Sequence, residues 1–257
     1  MTAAVKVLQR NLLVYRHTFR GSIFGSFVTP LLYLTAMGVG LGQFISTRGT
    51  GLMGGYEYTH FLGPGLLAAT CMQSAVFEST FPILGKIIWR RNYEAMLATP
   101  LGVRHIVGGE LLWIAFRMVL ISTVFLGVLA LFGIPRSPLA MLAIAAAVLT
   151  GVAFSAAIIS FAATQKNDAG FSWMFRFVVN PLFLFSGTFF PLTQLPQWAQ
   201  GIAAVTPLYH GVSLTRGLIL NDPMLLSGWY WHVGYLLVFA SFFGWLAYRL
   251  LQRRLVK

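Results

Sequence analysis

The chain has 257 residues, of which 57% are hydrophobic and only 9% charged, with a formal net charge of +12. A soluble domain carries about 25% charged residues, so there are too few polar side chains here to solvate a globular surface, and the composition points to an integral membrane protein. A single cysteine, Cys71, excludes an internal disulfide, and no segment is long and polar enough to form a basic nucleic-acid-binding domain, so no nucleic-acid partner is expected.

Residues 1–20 come first. Val5, Leu8, Leu12, Tyr15 and Phe19 recur at helical spacing and share one face, while Lys6, Arg10, Arg16, His17 and Arg20 fall beside it. This reads as a basic amphipathic helix suited to the membrane interface. The alternative is an extension whose charges only set topology.

Charge-free windows then mark the spans, since a bilayer core of about 30 Å takes roughly 20 apolar residues of helix. Gly21–Thr47 has no charge, Thr59–Gly85 carries only Glu78, and Leu111–Pro135 carries only Arg117. Ser137–Gln165 and Pro223–Tyr248 are uncharged, and Phe177–Thr215 is uncharged but too long for one crossing. Six spans are expected, all helical. The first is too long for a signal-peptide core and reads as an uncleaved anchor.

The basic residues orient them. With the N-terminus inside, Lys6, Arg10, Arg16, Arg20, Lys86, Arg90, Arg91, Arg104, Lys166, Arg176, Arg249, Arg253, Arg254 and Lys257 are all cytoplasmic, against Arg48, Arg136 and Arg216 outside. The positive-inside rule therefore places both termini in the cytoplasm of a multi-pass protein.

Between spans two and three, WRRNYEAMLATPLGVRH interrupts the apolar sequence. Asn92 is a candidate N-cap, Glu94 suits the first turn, and Ala95 to Ala98 are strong helix formers. Pro100 pushes Thr99 out of the α region. About two turns of helix should present Tyr93, Met96 and Leu97 to a soluble partner, unless the helix lies on the membrane surface.

After the fifth span, expected to end near Phe190–Pro191, Pro191, Pro196 and Pro207 break the chain. Irregular backbone at membrane depth must be covered by protein or face water. Re-entrant helices within 191–220 fit, with Trp198 and Tyr209 at the interface and His210 beside them. A short external loop is the alternative.

Charged residues within spans are candidates for function. Glu110 and Arg117 share a face of span three, and Glu78 should sit at the depth of Glu110, with Arg117 about 10 Å deeper. Arg117 either pairs with one of these carboxylates or lines a pathway. Five histidines show no metal-ligand spacing, so no metal is expected.

RRNYEAMLATPLG resembles the first cytoplasmic loop of the type-2 ABC exporter permeases. FLFSGTFFPLTQLPQWAQGIAAVTPLYHGVSLTRGL, Phe183 to Leu218, is similar to their nodulation-factor export and anthracycline-resistance branches. The resemblance spans essentially the whole chain, as a single permease domain over 1–257. It implies a coupling loop at 86–104, with Arg91, Asn92, Tyr93, Glu94, Met96, Leu97, Thr99 and Pro100 meeting an ATPase. Lys166 and Asp168 would be a smaller second contact, and the helices at 191–220 would roof the exit. It also implies two ATPase copies and a second permease copy, as a homodimer among membrane lipids in the cytoplasmic (inner) membrane. The cargo would be lipid-like, a glycolipid or lipo-oligosaccharide, or an amphipathic drug. The sequence itself contains no G-x-x-x-x-G-K-[ST] loop, so this chain should bind no cofactor and ATP with Mg would belong to the partner. Rival readings are an ion-coupled secondary transporter, which would call for midplane charges and inverted repeats, and a non-transporting membrane scaffold.

Overall fold

A computed structural model describes residues 3–16, 19, 27–28, 30–42 and 55–256, and these form only helices, turns and bends. Both ends of the first expected span, 21–26 and 43–47, lie outside the described residues, as do His17, Arg20, Arg48 and Lys257. Three described helices are long and apolar enough to cross a membrane: Val103–Leu131, Pro138–Thr164 and Trp229–Leu255.

The chain begins with α1, Ala3–Tyr15. A π-helical stretch at Leu34–Leu41 precedes α2, Tyr58–Ser79. With 22 residues α2 is about 33 Å long. It is buried at every residue from Phe61 to Ala69. A bend at Thr80 leads to α3, Phe81–Ile87, and then to α4, Asn92–Leu97. The long helices follow: α5, Val103–Leu131, and α6, Leu142–Thr164, entered through a 3-10 turn at Pro138–Met141.

The fifth expected span is built in three pieces. α7, Ala169–Met174, passes into a π-turn at Phe175–Val179 and then α8, Asn180–Phe185. Pro181 explains the π-turn: it lacks an N–H and its ring crowds the carbonyl four residues earlier, and a widened turn relieves both. The helix stops at Phe185, short of Phe190–Pro191, because Gly187 takes a left-handed φ of 80° that turns the chain.

α9, Gln197–Ala204, and α10, Pro207–Leu220, come next. The hydroxyl of Thr206 caps α10 by accepting from the backbone N–H of Tyr209, and Asn221 ends it at φ 54°. At 14 residues α10 is about 21 Å long, too short to cross a bilayer. It packs against α2, α6 and α12 all the same. A short α11, Pro223–Leu226, leads to α12, Trp229–Leu255.

The bundle has two distinguishable ends. At one, Arg254 of α12 donates to the carbonyls of Ala162 and Ala163 (3.2 and 2.7 Å) in the last turn of α6. The α3–α5 loop and the α6–α7 loop lie at this end. At the other end, the N–H of Arg136 donates to Ile219 O at 3.0 Å, and Tyr56 donates to Asp222 at 3.0 Å.

Candidate coupling site

α4 stands at the end that carries Arg254. Its entry differs from the sequence expectation. Arg91, not Asn92, is the residue before the helix, held at φ 46° with no side-chain cap. Asn92 is already helical, and its amide is engaged sideways. In the orientation that satisfies both neighbours, it accepts from Nη2 of Arg10 at 2.8 Å and donates to Arg90 O at 3.2 Å. A tertiary partner on α1 has displaced the local capping role.

Tyr93 is a second correction. It is 1% exposed and so presents nothing to a partner. Its ring packs in the protein's own core, and its hydroxyl is buried beside the Glu110 carboxylate, outside strict hydrogen-bond geometry. Burial first, and Glu110 second, push the phenol well above its ordinary value, so it remains a neutral O–H. Met96 and Leu97 are half-buried against the same core. The outward face of α4 and its exit is Glu94, Ala95, Thr99 and Pro100. Thr99 closes the helix by donating its hydroxyl to Met96 O at 2.6 Å.

Glu110 lies under α4. Nζ of Lys86 sits 2.7 Å from both of its oxygens, and Asn11 of α1 donates Nδ2 to Oε2 at 3.3 Å. Glu78 is not at the depth of Glu110. Because α2 ends at Ser79 and bends, Lys86 reaches the level of Glu110 while Glu78 meets Arg117, one guanidinium nitrogen lying 3.1 Å from its Oε1. The Arg117 guanidinium also lies over the Tyr15 ring, 4.6 Å from its centre.

α1 packs on α5, with Val7 and Asn11 innermost and Leu8, Leu12 and Tyr15 partly buried beside them. Leu13 and Val14 face away from the protein. A polar residue on the inner face was invisible in the apolar stripe. It is there because Glu110 offers it a partner.

The second inside loop carries Lys166 and Asp168, both exposed, and the N–H of Ala169 bonds to Asn167 Oδ1 at 3.3 Å.

At the opposite end, Trp198 is exposed on α9 and Pro207 is buried at the start of α10. Pro191 precedes a 3-10 turn at Leu192–Gln194, and Pro196 immediately precedes α9. Nδ1 of His210 lies 2.7 Å from Nδ1 of His232, with Tyr209 packed edge-on to both rings. Among the described residues, no group of three His, Cys, Asp or Glu is placed to hold a metal.

Sequence reasoning set Arg216 among the outside charges, yet it is buried. It donates Nε to Phe61 O at 3.2 Å and Nη2 to Gly187 O at 2.9 Å, with its guanidinium 3.8 Å from the centre of the Phe61 ring. Thr215 beside it donates to Pro64 O at 2.9 Å. These ties, like the Lys86–Glu110 and His210–His232 pairs, join residues far apart in sequence, so no spacing signal could have revealed them.

The profile of the "ABC-2 type transporter" family matches residues 3–220. Nodulation protein J of Rhizobium leguminosarum bv. viciae is 32% identical over 251 residues, covering 98% of this chain and 94% of the relative. Nodulation protein J of Rhizobium meliloti (strain 1021) is 31% identical over 252 residues, covering 98% and 94%. The inner membrane transport permease YadH of Escherichia coli (strain K12) is 28% identical over 240 residues, covering 92% and 91%. The match runs nearly end to end and takes in α4, α5 and the helices around Arg216: this chain is a membrane transport permease of the ABC-2 type transporter family.

Proposed function

We propose that the chain is the membrane subunit of an ATP-driven exporter of the inner membrane. A separate ATPase supplies the energy, and the cargo is a lipid-like, glycolipid or lipo-oligosaccharide, or amphipathic drug molecule. The observation that carries this reading is α4, a short helix fixed at one end of the bundle with its outer face open and its inner face locked into the core. A helix that only turned the chain would need no such anchorage. In this reading two ATPase copies bind a permease homodimer, and ATP and Mg are held by the ATPase. The inside end is the one with α4 and the C-terminus of α12. α1 lies at the cytoplasmic interface with Leu13 and Val14 toward lipid, and Lys166 and Asp168 make the second contact. α9 and α10 form the roof of the exit.

The test is co-expression with a candidate ATPase subunit. The purified permease alone should hydrolyse no ATP, and the complex should. Leu97 packs on the protein's own core, so Ala95 is the cleaner probe: Ala95→Trp should abolish co-purification of the ATPase while leaving the permease folded. Full binding by Ala95→Trp would remove α4 from the docking surface.

A further inference from the structure

We propose that Glu110 is a positioning residue that makes α1 a moving part of the coupling device, shifting together with α4, the end of α3 and the start of α5 as one body. This rests on the reading of α4 as the element the ATPase drives.

The connections form a closed ring. Asn92 of α4 is held by Arg10 of α1. Arg10 also donates Nη1 to Asn11 Oδ1 at 3.2 Å, and Asn11 donates in turn to Glu110 of α5. Glu110 holds Lys86 of α3 with both oxygens, and Tyr93 returns the path to α4 from beneath the carboxylate. Four elements thus meet at one buried acid, whose side chain is 2% exposed.

The packing tightens the same joint. Gly109 lets α1 come so close that a Cβ placed there would lie 2.5 Å from the Cβ of Val7 and 2.9 Å from Ala4 O. α1 therefore rests on the α5 backbone itself, one residue before the acid.

Energetics explain why the joint moves whole. Separating a buried ion pair strands a charge away from water, which is far more costly than shifting the pair intact. Close-packed contacts switch between discrete arrangements and do not deform smoothly. A push on α4 that left α1 behind would have to strip Asn11 and Arg10 from their partners. A push that carried α1 along breaks nothing at this site. An anchor bound only to lipid would need neither the buried Asn11 nor the glycine.

The experiment uses the permease–ATPase complex in nanodiscs of phosphatidylethanolamine and phosphatidylglycerol, in a Cys71→Ala background. Spin labels are placed at exposed positions Lys6 on α1, Trp89 between α3 and α4, and Arg253 on α12. The 6–89 distance should be narrow and unchanged between the nucleotide-free state and the state with ATP trapped on a hydrolysis-deficient ATPase. The 89–253 distance should change. A 6–89 distance that shifts as much as 89–253 overturns the proposal.

A second arm reads function. A fluorophore at exposed Met224, on the opposite end of the bundle, should respond to ATP. In Glu110→Gln that response should fall at least fivefold while the ATPase still binds and hydrolyses ATP, and the 6–89 distribution should broaden. An unchanged response and unchanged distances in Glu110→Gln would overturn the proposal. If Glu110→Gln does not assemble, the 6–89 distance in the unaltered chain decides. Retained ATPase binding by Ala95→Trp would count against α4 as the docking element, independently of whether α1 and α4 move as one.

Discussion

Arg117 and Glu78 meet through a single oxygen: Nε and Nη2 of the guanidinium both lie 3.1 Å from Oε1, joining the middle of α5 to the end of α2. Both side chains are mostly buried, at 11% and 23% exposure. Arg117→Leu should therefore leave Glu78 short of a partner and lower stability by about 1–3 kcal/mol. Combining it with Glu78→Gln should recover part of the loss, with a coupling of about 0.5–3 kcal/mol between the sites. Thermal unfolding of the four proteins in detergent measures this, and strictly additive losses would show that the two groups do not interact.

Tyr93 separates folding from docking. Tyr93→Ala should destabilise the permease by about 3–5 kcal/mol, as for other large buried aromatics. Tyr93→Phe should cost under about 1 kcal/mol, since the hydroxyl lacks a well-formed hydrogen bond. Unfolding midpoints and ATPase co-purification distinguish the cases. If Tyr93→Ala keeps its stability and loses only the ATPase, the residue is not serving the core.

The Arg216 tie should be intolerant of small changes around it. A Cβ at Gly65 would lie 2.9 Å from Nη2 of Arg216 and 3.0 Å from Thr188 O, so Gly65→Ala should cost about 1–3 kcal/mol by forcing the joint apart. Arg216→Lys should fare no better, because one ammonium cannot reproduce two bonds made from a planar fork. A Gly65→Ala protein with an unchanged melting temperature would contradict this packing.

Topology can be checked independently of energetics. Reporter fusions at Arg91 and at the C-terminus should read cytoplasmic, and fusions at Arg136 and Asn221 external. The Arg254 clasp on α6 puts the C-terminus at the end of the α6–α7 loop, and the Arg136–Ile219 bond joins the other two sites. A cytoplasmic signal at Arg136 would dismantle this arrangement.

The helices were legible where composition decides. Windows with at most one charge located α5, α6 and α12, because a helix that crosses the apolar bilayer core can carry few charged side chains. α2 was legible for the same reason, although protein surrounds it. Local signals also placed α4 between Asn92 and Pro100 and α10 after Pro207. The sequence misled where a distant residue overrode a local preference. Asn92 has the chemistry of a cap, but Arg10 claims it. Arg216 reads from sequence as one more charge of the outer segments, and its burial against two carbonyls and an aromatic ring has no local signal. Glu110 reads from sequence as a candidate partner of Arg117, because Lys86, across a bend in the backbone, gives no sign that it reaches the carboxylate.

Thr215 and Arg216 grip α2 by the carbonyls of Phe61 and Pro64, and Arg216 also holds the carbonyl of Gly187 in the turn after α8. A carbonyl is supplied by every amino acid. Apart from Gly65, whose missing side chain makes room for the guanidinium, residues along this stretch of α2 can therefore be exchanged without losing these hydrogen bonds. The fastening is therefore written in backbone and survives changes of side chain that would erase a contact made between side chains.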